Sequence, residues 1–144
     1  MKARIIILIA VLAGSISSSC ERTEFYSPYA QLQEDIGIID AYLEENNIDA
    51  VESSSGLRYV IQDEGLGSNP VRGSLVKVHY TGTLLDGTKF DSSYDKGEPF
   101  SYTHGVGMVI SGWDEGLSYI GERGRITLYV PSVMAYGRSA RGDI

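Results

Sequence analysis

The chain has 144 residues, a formal charge of −7 and one cysteine. An acidic chain without a basic cluster argues against nucleic acid and against a polybasic membrane patch, and a lone cysteine excludes an internal disulfide. The composition, 42% hydrophobic and 22% charged with 17 Gly and 10 Tyr, is that of a globular domain rich in strands, tight turns and aromatic surface.

The first residues differ from the rest. Lys2 and Arg4 precede an apolar run from Ile5 to Ala13, and a Ser-rich stretch then leads to Cys20. A basic start, a short apolar core and small residues predict a secretory signal over 1–19. The run falls short of the roughly 20 apolar residues that span a bilayer. A buried N-terminal strand is the alternative, and the basic flank and Ser-rich end disfavour it. Without Lys2 and Arg4 the chain carries 10 basic against 19 acidic residues, a charge of −9. A lone Cys directly after a leader resembles the bacterial lipoproteins, in which that Cys becomes the acylated N-terminus. Ser19 fits that pattern, whereas Ser17 stands where the class usually has Leu. The resemblance implies lipidation at Cys20 and a membrane-anchored location in the bacterial cell envelope, facing the periplasm or the exterior. The alternative is ordinary cleavage nearby with a free thiol left over, a liability in an exported protein.

Residues 20–27 read as a short polar tether. Ser27-Pro28 is a helix start, with Ser as N-cap and Pro at the first helical position. Apolar residues recur at Tyr29, Leu32, Ile36, Ile39 and Leu43, one amphipathic helix face, and Asn46-Asn47 ends it. The seam is shorter than the three or four heptads of a self-sufficient coiled coil. A helix packed on its own domain is therefore favoured over dimerisation, and a monomer over an oligomer. Glu52 to Gly56 reads as a Ser-rich linker, so 28–52 forms an N-terminal helical segment and linker, with a second unit from 53 to 144.

Beyond the linker the period becomes alternating. Leu57 to Gln62 reads as a strand, and Gly65 to Gly73 as a loop. Ser74 to Leu84 reads as one long strand with Val76, Val78 and Tyr80 on one face and Lys77, His79 and Thr81 on the other. Asp86-Gly87 signals a hairpin turn. Thr88 to Ser92 returns, and Pro99 to Thr103 is a further short strand. Gly112 to Gly121 contains a short helix with Trp113, Leu117 and Ile120 on one face. Arg125 to Val130 is another strand with Ile126, Leu128 and Val130 inward. The fold class predicted is α+β: a twisted antiparallel sheet with one short helix covering a face, preceded by an N-terminal amphipathic helix.

Familiar catalytic constellations are missing from the sequence. His79 and His104 have no Cys, Asp or Glu at ligand spacing, which argues against a metal. Gly105-Val-Gly107 lacks the Lys-Ser/Thr of a phosphate loop. Arg141-Gly-Asp143 matches an adhesion tripeptide too short to carry weight. What remains is a set of aromatics: Tyr80, Phe90, Phe100, Tyr102, Trp113 and Tyr136. A plain core accounts for most aromatics in a small sheet. Against that stand Asp91, embedded among apolar residues, and Tyr136, in a Gly-flanked loop after the last strand.

The segments VHYTGTLLDGTKFDSS, VISGWDEGL and MAYG resemble the FKBP-type peptidyl-prolyl cis-trans isomerases. The resemblance runs from about Gly56 to the last residue, with long motifs in order and correctly spaced. It implies a half-barrel sheet wrapped on the short helix, with a substrate proline held in an aromatic pocket. The catalytic positions it implies are Tyr80, Phe90, Asp91, Trp113 and Tyr136. The substrate-binding positions are Phe100, Tyr102, Val109 and Ile110. Trp113 would be the floor, while the Ile110 N–H and the Tyr136 hydroxyl would meet substrate carbonyls. Asp91 would tune the pocket through hydrogen bonds, not act as a base. The implied partners are Pro-containing polypeptides, with no cofactor and no metal. The rival is a non-catalytic chaperone or binding module that holds Pro-containing segments in the same pocket. A purely structural anchor is a third reading and would need a blocked pocket. The resemblance also implies one more strand after the Tyr136 loop, central in the sheet, so residues 53–144 read as a C-terminally truncated domain.

Overall fold

The structure, a computed structural model, describes residues 26–137. The leader, Cys20, the Arg141-Gly-Asp143 tripeptide and the strand expected after the Tyr136 loop lie outside the described residues.

Helix α1 spans Pro28–Glu45. The Ser27 hydroxyl accepts the Ala30 N–H at 3.3 Å, and Pro28 sits where no N–H is needed. At the other end Asn46 caps the last turn and Asn47 takes a left-handed φ of 53°. Ile39 and Leu43 are buried, each contributing about 1.5–3 kcal/mol of burial. The side chains of Leu32 and Ile36 lie against Gly56, where a Cβ would meet them at 3.1 and 2.9 Å. The expected face is therefore packed on the helix's own domain, except that Tyr29 at its start is 71% exposed.

The expected linker at Glu52–Gly56 is not one. Val51–Glu52 (β1) pairs antiparallel with Arg58–Asp63 (β2). The turn between them is fixed: the Ser55 hydroxyl donates to Glu115 Oε1 at 2.9 Å, and Leu57 is fully buried. Burial alone pushes the Glu115 carboxyl up. The hydroxyls of Ser53, Ser55 and Tyr119 reverse that and hold it below its ordinary value. Ser residues that suggested a loose connector are there to satisfy a half-buried carboxylate.

The expected strand over Ser74–Leu84 is broken in two. Leu75–Val78 (β3) pairs with Phe100–Thr103 (β6), whereas Thr81–Thr83 (β4) pairs with Lys89–Ser92 (β5). The handover occurs at His79–Tyr80. There the buried Ser93 hydroxyl takes the Tyr80 N–H at 2.8 Å and the Ser93 N–H donates to the Tyr80 carbonyl at 3.1 Å. A strand can change partners only if the backbone groups left over are satisfied, and Ser93 does this. Ser93–Lys96 forms a single helical turn (α2), capped by Ser92 and stopped by Gly97 at φ 76°. The hairpin turn at Asp86-Gly87 forms as expected, with the Thr88 N–H donating to Asp86 Oδ1 at 2.8 Å.

Helix α3 spans Ser111–Leu117, and strand β7 spans Arg125–Tyr129. β7 lies beside β2, Ile61 opposite Ile126 and Tyr59 opposite Leu128. Helix α3 approaches β7 through glycine. A Cβ on Gly112 would meet Val130 Cγ1 at 2.5 Å, and one on Gly116 would meet Leu128 Cδ2 at 2.4 Å. These two glycines are the helix's buried positions. They let the helix axis approach the sheet and leave Trp113 free to face elsewhere. Among the described residues β7 pairs only with β2, and β3 only with β6. A 3-10 turn, Ser132–Met134, follows β7 and carries the chain to Tyr136.

Candidate active site

Three elements bring aromatic rings together. Tyr80 comes from the β3–β4 handover, Phe100 opens β6, and Trp113 lies in the first turn of α3. The Tyr80 and Trp113 rings meet edge to face at 4.9 Å, Phe100 and Trp113 at 6.0 Å, and Tyr80 and Phe100 at 6.3 Å. Edge-to-face pairs at such distances are each worth about 0.5–1.5 kcal/mol beyond burial. Phe100 remains 39% exposed, so the cluster keeps an open apolar face.

Tyr102, expected in the substrate-binding set, is 1% exposed and stacks on Phe100 at 6.0 Å. Its hydroxyl lies 3.3 Å from His104 Nδ1. Burial first, with Asp114 nearby, pushes that hydroxyl up to about 12. His104 is likewise buried, 3.5 Å from Asp114 Oδ1, and the same carboxylate accepts the Gly105 N–H at 2.9 Å. This polar knot fixes the loop between β6 and α3. His79, by contrast, stacks on Tyr94 and meets the Ser93 hydroxyl at 3.1 Å.

Phe90 and Asp91 owe their placement to a β-bulge. Gly82 faces Asp91 and Thr83 faces Lys89, so Phe90 is the extra residue. Neighbouring residues of a regular strand point to opposite faces. The bulge instead lets the Phe90 ring lie over Gly82, where a Cβ would meet it at 2.6 Å, while the Asp91 carboxylate reaches the Tyr80 hydroxyl at 2.5 Å. Asp91 is not embedded among apolar groups as expected. Its side chain is 38% exposed and forms an ion pair with Lys96 at 2.6 Å. Lys96 also donates to the Tyr80 hydroxyl at 3.2 Å. The Lys96 ammonium first, then the Tyr80 hydroxyl, hold the Asp91 carboxyl below its ordinary value, and the same contacts raise Lys96. Burial, then Asp91, raises the Tyr80 hydroxyl.

Lys96 was missed from the sequence. The signal lies in SSYDKG: a Ser cap, one helical turn and a Gly stop put Lys96 back toward Asp91, five residues earlier. Val109 and Ile110 are half-buried on the segment entering α3, and the Ile110 carbonyl accepts the Trp113 N–H at 3.0 Å. Tyr136 is 36% exposed, just after the 3-10 turn. That turn is joined to α3 by the Ser111 hydroxyl, which donates to the Met134 carbonyl at 3.2 Å. Among the described residues no group of three His, Cys, Asp or Glu could hold a metal ion, and no helix is long and apolar enough to cross a membrane.

Comparison with known proteins gives this geometry a context. The family model described as FKBP-type peptidyl-prolyl cis-trans isomerase matches residues 67–144. The chain is 45% identical over 92 residues to the FKBP-type peptidyl-prolyl cis-trans isomerase FkpA of Aeromonas hydrophila, covering 64% of this chain and 34% of that protein. It is 48% identical over 87 residues to an FK506-binding protein of Neisseria meningitidis serogroup B, covering 59% of this chain and 80% of the relative. Among solved structures, that of FkpA from Escherichia coli aligns with a TM-score of 0.61 at 38% identity, covering 75% of this chain and 53% of that one. The chain thus spans about a third of the first of these relatives and most of the second. With its matched region extending over more than half of its length, this chain belongs to the FKBP-type peptidyl-prolyl cis-trans isomerase family.

Proposed function

We propose that the chain accelerates cis–trans isomerisation of X–Pro bonds in polypeptides, with the proline ring resting on Trp113 between Tyr80 and Phe100. The open edge-to-face cluster carries this reading. The barrier to rotation is amide resonance, roughly 18–20 kcal/mol. Uncatalysed exchange at X–Pro takes tens of seconds or more. A planar amide is more polar than a twisted one. A pocket that removes water and fits the twisted shape therefore lowers the barrier with no nucleophile or proton transfer.

In this reading Trp113, Phe90 and Phe100 supply the apolar walls, with Val109 and Ile110 at the rim. The Ile110 N–H and the Tyr136 hydroxyl bind substrate carbonyls. Asp91 and Lys96 fix the Tyr80 ring, and Tyr102 backs Phe100. The substrates are Pro-containing segments of folding proteins. The leader over 1–19 and lipidated Cys20 would place the enzyme on a membrane of the cell envelope, tethered through 20–27. One acyl chain binds membranes only marginally and stable anchoring takes two signals or more, so multiple acylation at Cys20 belongs to the proposal.

The test is a short Xaa-Pro peptide assay with and without FK506, the ligand in the names of several relatives. Catalysis that FK506 abolishes is the expected result. Binding of FK506, read from the lone tryptophan Trp113, without any acceleration would leave a holding module instead. Cys20→Ser should move the protein from the membrane to the soluble fraction. Retention in the membrane fraction would overturn the lipid anchor.

A further inference from the structure

The aromatic pocket is tied to α1 by a contact far apart in sequence. Asp35, in the middle of α1, accepts the Ser132 N–H at 2.7 Å and the Ser132 hydroxyl at 2.6 Å, both on Oδ2. Its other oxygen accepts from Gln31 Nε2 at 2.9 Å, which fixes the carboxylate within its own helix. Ser132 follows the fully buried Pro131 and opens the 3-10 turn. Its carbonyl organises what comes next, accepting the Ala135 N–H at 2.9 Å and the Gly137 N–H at 2.7 Å. Tyr136 lies between those two residues. On the far side, the Met134 carbonyl takes the Ser111 hydroxyl at the start of α3. The turn that carries Tyr136 is therefore held from two sides, by α3 and by α1.

We propose that Asp35 is a positioning residue of the pocket: α1 is an external brace that sets where the Ser132–Gly137 turn, and with it Tyr136, stands relative to Trp113. This rests on the reading of the pocket given above. Asp35 touches no substrate. It fixes both donors, the N–H and the hydroxyl, of the residue from which the turn is built. A carboxylate accepting two hydrogen bonds from one residue fixes direction as well as distance. Displacement of a positioning group by about 1 Å can cost about a hundredfold in rate. The rest of α1 is held separately, by Asp40 on Arg58 and by Leu32 and Ile36 on Gly56. Losing Asp35 therefore frees the turn without releasing the helix.

The experiment compares Asp35→Ala, Asp35→Asn and a control, Asp40→Asn, which loosens α1 away from the turn, in the full chain. Amide hydrogen exchange is read at 132–137 and in β2, with FK506 affinity from Trp113 fluorescence, and KM and kcat on the peptide. Asp35→Ala should speed exchange at 132–137 selectively and weaken FK506 and peptide binding by about tenfold. Asp35→Asn, which keeps an acceptor, should recover most of it. Asp40→Asn should lower the unfolding midpoint without either local effect. Exchange at 132–137 that is unchanged in Asp35→Ala, or that rises only along with β2 as in the control, would overturn the proposal. If the unsubstituted chain turns over no peptide, the isomerase reading fails, and the exchange comparison still decides whether Asp35 holds the turn.

Discussion

At the aromatic end, Tyr80, Phe100 and Trp113 meet edge to face, and Phe100 is left 39% exposed. On the α1 side, Arg58 is 5% exposed and its guanidinium grips Asp40 through two bonds, at 2.8 and 3.0 Å, while Glu115 gathers the hydroxyls of Ser55 and Tyr119 at 2.9 Å. The two regions use opposite means. Apolar contact is non-directional and tolerates an incoming ring. Hydrogen bonds at a half-buried site fix orientation and are costly to leave unmade. An apolar surface kept partly open must be held by something that does not depend on it. The polar side is held by bonds that do not involve the aromatic cluster, so substitutions in the two regions should separate activity from stability.

The largest effect is expected at Trp113→Ala. Removing the ring forfeits about 2–3 kcal/mol of ligand contact, or about 30- to 150-fold in isomerase activity, with a smaller change in unfolding midpoint. Activity loss that merely follows stability would mean that the ring belongs to the core and not to the site.

Next comes Gly116→Ala, on the buried side of the same helix. Its new methyl would overlap Leu128 Cδ2 at 2.4 Å. The overpacking should cost about 2–3 kcal/mol in urea unfolding. If stability holds while activity falls, α3 can shift on β7 more easily than the close approach implies.

Arg58→Met probes the polar side directly. It should cost about 1–2 kcal/mol, less than the roughly 3–5 kcal/mol of a fully buried pair, because Asp40 stays half in water. Activity measured well below the midpoint should be unchanged. An activity drop comparable with that of Trp113→Ala would erase the distinction between the two regions.

A subtler test concerns pH. Asp91 is held below the ordinary carboxyl value by Lys96 and Tyr80, so its contribution is present above about pH 4 and is lost as pH falls through its lowered value. Lys96 and Tyr80 are both raised. Their contributions are complete below about pH 10 and are lost only as pH climbs through those raised values. Isomerase activity should therefore be flat from about pH 5 to about pH 9. A bell-shaped profile inside that window would point to acid–base chemistry. The smallest effect is expected at Tyr29→Ala, 71% exposed at the start of α1, within about 0.5 kcal/mol of the parent and with full activity.

Helix α1, the hairpin turn at Asp86-Gly87 and the strands β2, β6 and β7 were legible because each follows from local period and capping. The interrupted strand was not. Val76, Val78 and Tyr80 keep their alternation through the break, so the pattern carries no mark of it. The change of partner depends on Ser93, which only the tertiary fold brings to Tyr80. Asp91 stood out in the sequence, but its ion pair with Lys96 arises from a one-turn helix too short for periodicity to reveal. The burial of Tyr102 was not legible either, because a buried aromatic and a part-exposed one such as Phe100 have the same sequence signature.

The handover at Tyr80 bears on how such a domain can diversify. The base of the β4–β5 hairpin is anchored through Ser92 and Ser93 to the Tyr80 backbone, whereas its tip at Asp86-Gly87 is exposed. Insertions and new side chains at that tip are carried by a short, separately paired ribbon and leave β3, β6 and the Trp113 ring alone. On the proposed isomerase reading, the tip can therefore vary over evolutionary time without disturbing the aromatic cluster. The same tip is the natural place to graft a recognition loop when redirecting the domain to a chosen client.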